Sequence, residues 1–191
     1  MWPGSEGTMR IVKNIWSQMH RFVLWALLST VFWAWIFTLV TDTVPEKKVT
    51  VYVLTEECRS TELALRLEES MPEGIKMIKV HPFSYAAFGN ADLLGADLYI
   101  VGEKDAEEML PSFAPLDGED WDPGDRESLS RDGERWGVKI YDGAAGDGAA
   151  ASYIGYEPGQ DYYLFFNADS LHLGSGDGAA LRVAETLLKL K

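Results

Sequence analysis

The chain has 191 residues, a formal charge of −13 and 47% apolar side chains. The charge is unevenly divided: residues 1–48 carry five Lys/Arg against three Asp/Glu, and residues 49–191 carry twelve against twenty-seven. So acidic a body argues against nucleic acid and anionic membrane surfaces as its partners, and a single cysteine, Cys58, excludes an intrachain disulfide framework or a multi-cysteine metal site.

Residues 1–21 read as a cytoplasmic tail. Within it, Arg10–Arg21 sets Ile11, Ile15, Trp16 and Met19 among basic residues, as in a helix lying on a membrane surface. Residues 22–40, FVLWALLSTVFWAWIFTLV, hold no charge. At about 1.5 Å per residue they cover roughly the 30 Å of a bilayer core, which predicts a transmembrane helix contacting lipid. Ser29, Thr30 and Thr38 are its polar side chains, and their hydroxyls can bond back to the helix's own carbonyls. The run exceeds the apolar region of a cleaved signal peptide, and Thr41-Asp42-Thr43 is a poor cleavage site. A retained signal anchor is the expectation. Arg10, Lys13 and Arg21 precede the run against Glu6, whereas Lys47 and Lys48 are balanced by Asp42 and Glu46. The positive-inside rule then predicts a single-pass cell-membrane protein, its N-terminus cytoplasmic and its main domain extracytoplasmic.

Residues 41–48 form a short linker broken by Pro45, and residues 49–191 form one α/β domain. Val49–Leu54 predicts a strand buried on both faces. A helix follows, capped by Ser60 or Thr61, with Leu63, Ala64, Leu67 and Met71 on one face and Pro72-Glu73-Gly74 ending it. Ile75–Val80 reads as a strand, Ala86–Leu94 as a short helix or turn, Ala96–Val101 as a third strand, and Asp105–Leu110 as a helix capped by Asp105. This alternation implies a parallel sheet with right-handed crossovers. Leu116–Arg135 is polar and acidic and reads as a surface excursion. Strands are expected at Gly137–Tyr141, Tyr153–Tyr156 and Tyr162–Phe166, with a hairpin turn at Pro158-Gly159-Gln160-Asp161. Asp142–Ser152 reads as a mobile connection. A helix from about Asp177 closes the domain through Leu181, Ala184, Leu187 and Leu188. The sheet is therefore expected to be mixed.

Several of these segments fall into a familiar order. VTVYVL, an acidic helix, MPEGIKMIKV and ADLYIV, followed by FAPLDG (Phe113–Gly118) and LFFNADSLHLG (Leu164–Gly174), resemble the N-terminal lobe of extracellular solute-binding proteins of ABC importers, especially the carbohydrate-binding group. Leu164, Phe165, Phe166, Asn167, Asp169 and Gly174 stand at the positions of that family's LYYNKDLFxxxG segment. The resemblance covers about 120 residues and implies a three-layer periplasmic-binding-protein-like lobe. It also implies a partner in a small, carbohydrate-like solute or in a transporter or envelope protein. The sequence ends one helix after Asn167, so a single lobe is expected, with no cleft closed between two. The competing expectation is an assembly or scaffold subunit that binds no solute.

In a parallel sheet ligands sit beyond the carboxyl ends of the strands. That rule selects Thr55, Glu56, Tyr85 and Glu103 as ligand-binding candidates, with Trp136 as an adjacent aromatic able to stack on a sugar face. No catalytic residue, metal or cofactor is expected, and the protein is not expected to be an enzyme. Asp169, Ser170 and His172 are too close in sequence for a triad, whose members come from separate elements. His81 lacks a companion ligand. Asp120, Asp122 and Gly124 begin like a calcium loop, but Asp125 and Arg131 stand where that loop needs Gly and Glu.

Overall fold

A computed structural model of the protein describes residues 5–41, 44–55, 57–82, 95–118, 121, 123–174 and 178–191. The chain forms two compact units, Met1–Thr43 and Val44–Lys191.

The first unit is one helix, α1 (Ser5–Thr41). No Pro or Gly occurs from Thr8 to Thr41, so the expected surface helix and the apolar run continue without a break. The stretch Gln18–Thr38 is long and apolar enough to cross a membrane, and none of it is buried within the protein. Thr30 and Thr38 donate to the carbonyls of Ala26 and Ala34, 2.9 Å each, so their hydroxyls are satisfied inside the helix.

The second unit opens with a 3-10 turn, Pro45–Lys47, and continues through β1 (Lys48–Val53), α2 (Ser60–Glu68), β2 (Met77–Pro82), β3 (Leu98–Gly102) and α3 (Glu103–Met109). After 3-10 turns at Leu110–Ser112 and Leu116–Gly118 come β4 (Ser128–Arg131), β5 (Glu134–Asp142), β6 (Asp147–Gly148), β7 (Tyr162–Phe166) and α4 (Ala179–Lys189). The strands form one open mixed sheet in the order β2-β1-β3-β7-β5-β4, with β6 beside β5. β1 is parallel to β2 and β3, and β7 runs antiparallel to β3 and β5.

Strand alternation divides the core. Val49, Val51, Val53, Ile78, Leu98, Ile100, Leu164 and Phe166 face α2 and α4, which supply Leu63, Leu67, Val183 and Leu187. Tyr52, Tyr99, Val101, Tyr163 and Phe165 face the other way, onto Phe113 and onto Ala106 of α3. Phe113 stacks on Phe165 with centroids 4.3 Å apart. The α/β class and the mixed sheet thus match expectation.

Several local expectations are corrected. Arg59, not Ser60 or Thr61, precedes the first turn of α2, and no side chain caps it. Gly102 takes that place before α3, where Asp105 instead puts its charge in the first turn. The acidic excursion is not all surface. Leu116 and Trp121 are buried, and Ser128–Arg131 is a strand turning through Asp132-Gly133 into β5. Both turn residues have positive φ, 54° and 86°, the geometry that Asp-Gly favours. Tyr153–Tyr156 is not a strand: Ile154 makes one isolated bridge to Cys58. With β7 and β4 on its two sides and β6 at its end, β5 offers this segment no edge. Nor is Asp142–Ser152 loose. Ala149 and Ala150 are buried, and their amides donate to Ile140 and Leu190. A Cβ on Gly148 would meet the Ile140 carbonyl at 2.6 Å. The small side chains let this backbone lie against β5. The expected element at Ala86–Leu94 lies outside the described residues.

Candidate functional site

The two ends of the sheet differ in chemistry. At the carboxyl end of β1 and β3, Val53 pairs with Ile100, so Thr55 and Glu103 leave the sheet side by side. Thr55 is buried and donates through Oγ1 to the Glu57 carbonyl, 3.2 Å away. Glu103 is exposed, and its amide donates to the Asp161 carbonyl at 2.9 Å. Glu56 and Tyr85 lie outside the described residues.

Trp136 is not with them. Gly137 pairs with Phe165 and Leu98 with Phe166, which sets Trp136 at the amino end of β3. Its ring packs on the Tyr99–Phe165 cluster, and its buried Nε1 has no hydrogen-bond partner among the described residues. Trp121 is likewise core, edge-on to Phe166 at 5.1 Å. Trp121 is buried, whereas Trp136 keeps part of its surface exposed.

Close to the carboxyl end, Lys139 lies between two carboxylates, 2.5 Å from Glu127 and 2.7 Å from Asp161, with the Tyr163 ring 5.9 Å away. Hydrogen bonds donated to Asp161 and Glu127 push the Lys139 ammonium above its ordinary range. Lys139 in turn holds Asp161 below the usual carboxylate range, helped by the Gly143 amide at 2.8 Å. This arrangement joins β5, the Gly143 turn and the entry to β7, and its lysine is too well paired to act as a base or nucleophile. Burial raises the Cys58 thiol to about 11, which keeps it in the thiol form at neutral pH.

A polar cavity of about 230 Å³ lies at the amino ends of β1 and β3, lined by Lys48, Thr50, Asp97, Asp169 and His172 among others, with His81 reaching it from near the carboxyl end of β2. Asp97 is buried and anchors its wall. Its Oδ2 accepts from the Thr50 amide at 2.8 Å and its Oδ1 from the Ser170 hydroxyl at 2.6 Å. Asn167, also buried, donates to the Ala96 carbonyl at 2.6 Å and accepts from the Asp169 amide at 3.0 Å. The turn after β7 is thereby fixed against the starts of β1 and β3. His172 completes it: its Nε2 lies 3.2 Å from the carbonyl oxygens of both Pro45 and Lys48. Two acceptors at one ring nitrogen require that nitrogen to carry the proton and donate.

Asp169, Ser170 and His172 therefore form no triad. The Ser170 hydroxyl donates to Asp97 and accepts the His172 amide, 3.1 Å away, and the His172 Nε2 faces carbonyls instead of that hydroxyl. No cluster of three or more metal-ligating side chains occurs among the described residues. Sequence reasoning missed Asp97 as a site residue. Its signal was an acid at the start of an otherwise apolar central strand, a place where a charge needs built-in donors.

No protein-family model matches the chain, and neither does any curated protein or solved structure.

Proposed function

We propose that the chain is a membrane-anchored binding module, held in a bilayer by α1, whose α/β domain recognises a small solute outside the cell. The observation that carries this reading is the cavity at the amino ends of β1 and β3. A buried carboxylate, two imidazoles, a lysine and an exposed aspartate meet there around open space. Few convergent polar groups in a concave site are the mark of small-molecule recognition. The parallel opening β1-α2-β2 and β3-α3, with LFFN on β7, supports the likeness to one lobe of a solute-binding protein. The cavity lies at the opposite end of the strands from the edge that likeness favours.

A second reading has its own support at the carboxyl end. Thr55 there is turned onto its own loop and Glu103 is exposed, which suits an acidic contact surface for an envelope or transporter protein better than a solute pocket. On that reading the chain is an assembly subunit. A thermal-shift screen of the protein against sugars, oligosaccharides, peptides and amino acids separates the two. A solute present at 100 times its Kd adds about 2.7 kcal/mol to stability. If no solute moves the transition while cross-linking from Glu103 captures one membrane protein, the assembly reading replaces the solute reading.

A further inference from the structure

Lys48, at the cavity, makes no ion pair among the described residues, and neither does Asp169. Both nevertheless line the same cavity. Alternation along β1 sends the Lys48 side chain to the same face as Thr50, whose amide is held by Asp97 at the cavity wall. The two opposite charges are also more than salt-bridge distance apart, since they do not pair with each other. One cavity thus offers a cation and an anion, separated, with neither in an ion pair among the described residues.

We infer that the cavity takes a small zwitterion of the α-amino-acid class, its carboxylate on Lys48 and its ammonium on Asp169. The inference rests on the solute-binding reading above and deepens it. A simple anion would meet the carboxylates of Asp97 and Asp169 as well as Lys48, and a simple cation would meet Lys48. Only a ligand carrying both signs satisfies both groups. Size agrees: a cavity of about 230 Å³ suits one small molecule. An amino acid meets that limit and an oligosaccharide does not. Thr50 lies in β1 and its amide is tied to the buried Asp97 just ahead of β3, so the cavity floor is set before a ligand arrives.

The test is a thermal-shift titration of the full-length protein in detergent with the standard α-amino acids, followed by the analogues of any that bind. For alanine these analogues are ethylamine and propionate, each keeping one charge. At least one amino acid is expected to raise the transition saturably, and each single-charge analogue is expected to bind about tenfold more weakly or worse, the loss of one charged hydrogen bond. Lys48→Gln and Asp169→Asn should each abolish the rise with the far-UV spectrum unchanged, whereas Glu46→Gln, an exposed neighbour outside the cavity, should keep it. No response to any amino acid, equal binding of an analogue, or a rise that survives both cavity variants overturns the inference. A sugar that binds when no amino acid does removes the zwitterion and leaves the solute reading standing. Silence from every solute removes both.

Discussion

At Gly137 an added Cβ would lie 2.5 Å from the ring of Phe165, which is itself stacked on Phe113. The ring is fully buried, so any shift must displace its neighbours. Gly137→Ala should therefore cost about 1–3 kcal/mol as an overpacked core, read as a lower urea midpoint; an unchanged midpoint would mean that Phe165 can move. Lys139 makes a prediction in pH. Asp161 titrates below its ordinary range in the folded protein, so its contribution is present above the unfolded value and is lost as pH falls through the lower folded one. Lys139 titrates above its ordinary range, so its contribution is complete below the unfolded value and fades only as pH rises through the folded one. At neutral pH both are present. Lys139→Met leaves Asp161 without its cation, so the variant's deficit should be largest near neutrality and shrink as Asp161 becomes protonated, below about pH 4. Urea unfolding of both proteins from neutral to acid pH measures this. A deficit that stays constant into acid would assign the role of Lys139 to its methylenes and not to its charge.

Among the elements, those whose signal is local were legible in the sequence. VTVYVL and YYLFF are strands because β-branched and aromatic residues fill them without interruption, and both faces are buried. The amphipathic spacing of Leu63 and Leu67, and of Ala184, Leu187 and Leu188, placed two helices on one face of the sheet. What failed depends on partners. Tyr153–Tyr156 has the composition of a strand, but neighbours already occupy both sides of β5. β4 was hidden by its polarity, although the Asp132-Gly133 turn was a readable hairpin signal. The cavity was less accessible still. Asp169, Ser170 and His172 stand together in sequence, but their partners Asp97 and Pro45 are 73 and 127 positions away, and only the fold brings them in. The closing helix gives this scale its prediction. Leu187 is fully buried in the main core, whereas Leu181 is only partly covered. Leu187→Ala should cost about 2–5 kcal/mol, and Leu181→Ala clearly less. Equal costs would mean that α4 packs through a different face.

For the whole molecule, the two units place opposite demands on solvent. Along α1, Phe22, Trp25, Val31, Trp33 and Phe37 are each more than half exposed, which water would penalise and lipid would not. The second unit has a closed core and a strongly acidic sequence, and belongs in water. A bilayer around α1 would satisfy both, and on the proposed topology the direction follows the flanking charges: Arg10, Lys13 and Arg21 precede the apolar run, and the acidic domain follows it. The proposed topology therefore puts the domain outside the cytoplasm. Protease added to intact cells should digest epitopes in Val44–Lys191 and spare a tag at the N-terminus, and lysis should expose that tag. The margin is a few basic residues, so it is also testable by charge: replacing Arg10, Lys13 and Arg21 by Asn should give a mixed population with part of the domains protected. A domain that stays protected in intact cells before any substitution would reverse the orientation and place the cavity in the cytoplasm. The solute reading would then have to be rebuilt around intracellular ligands.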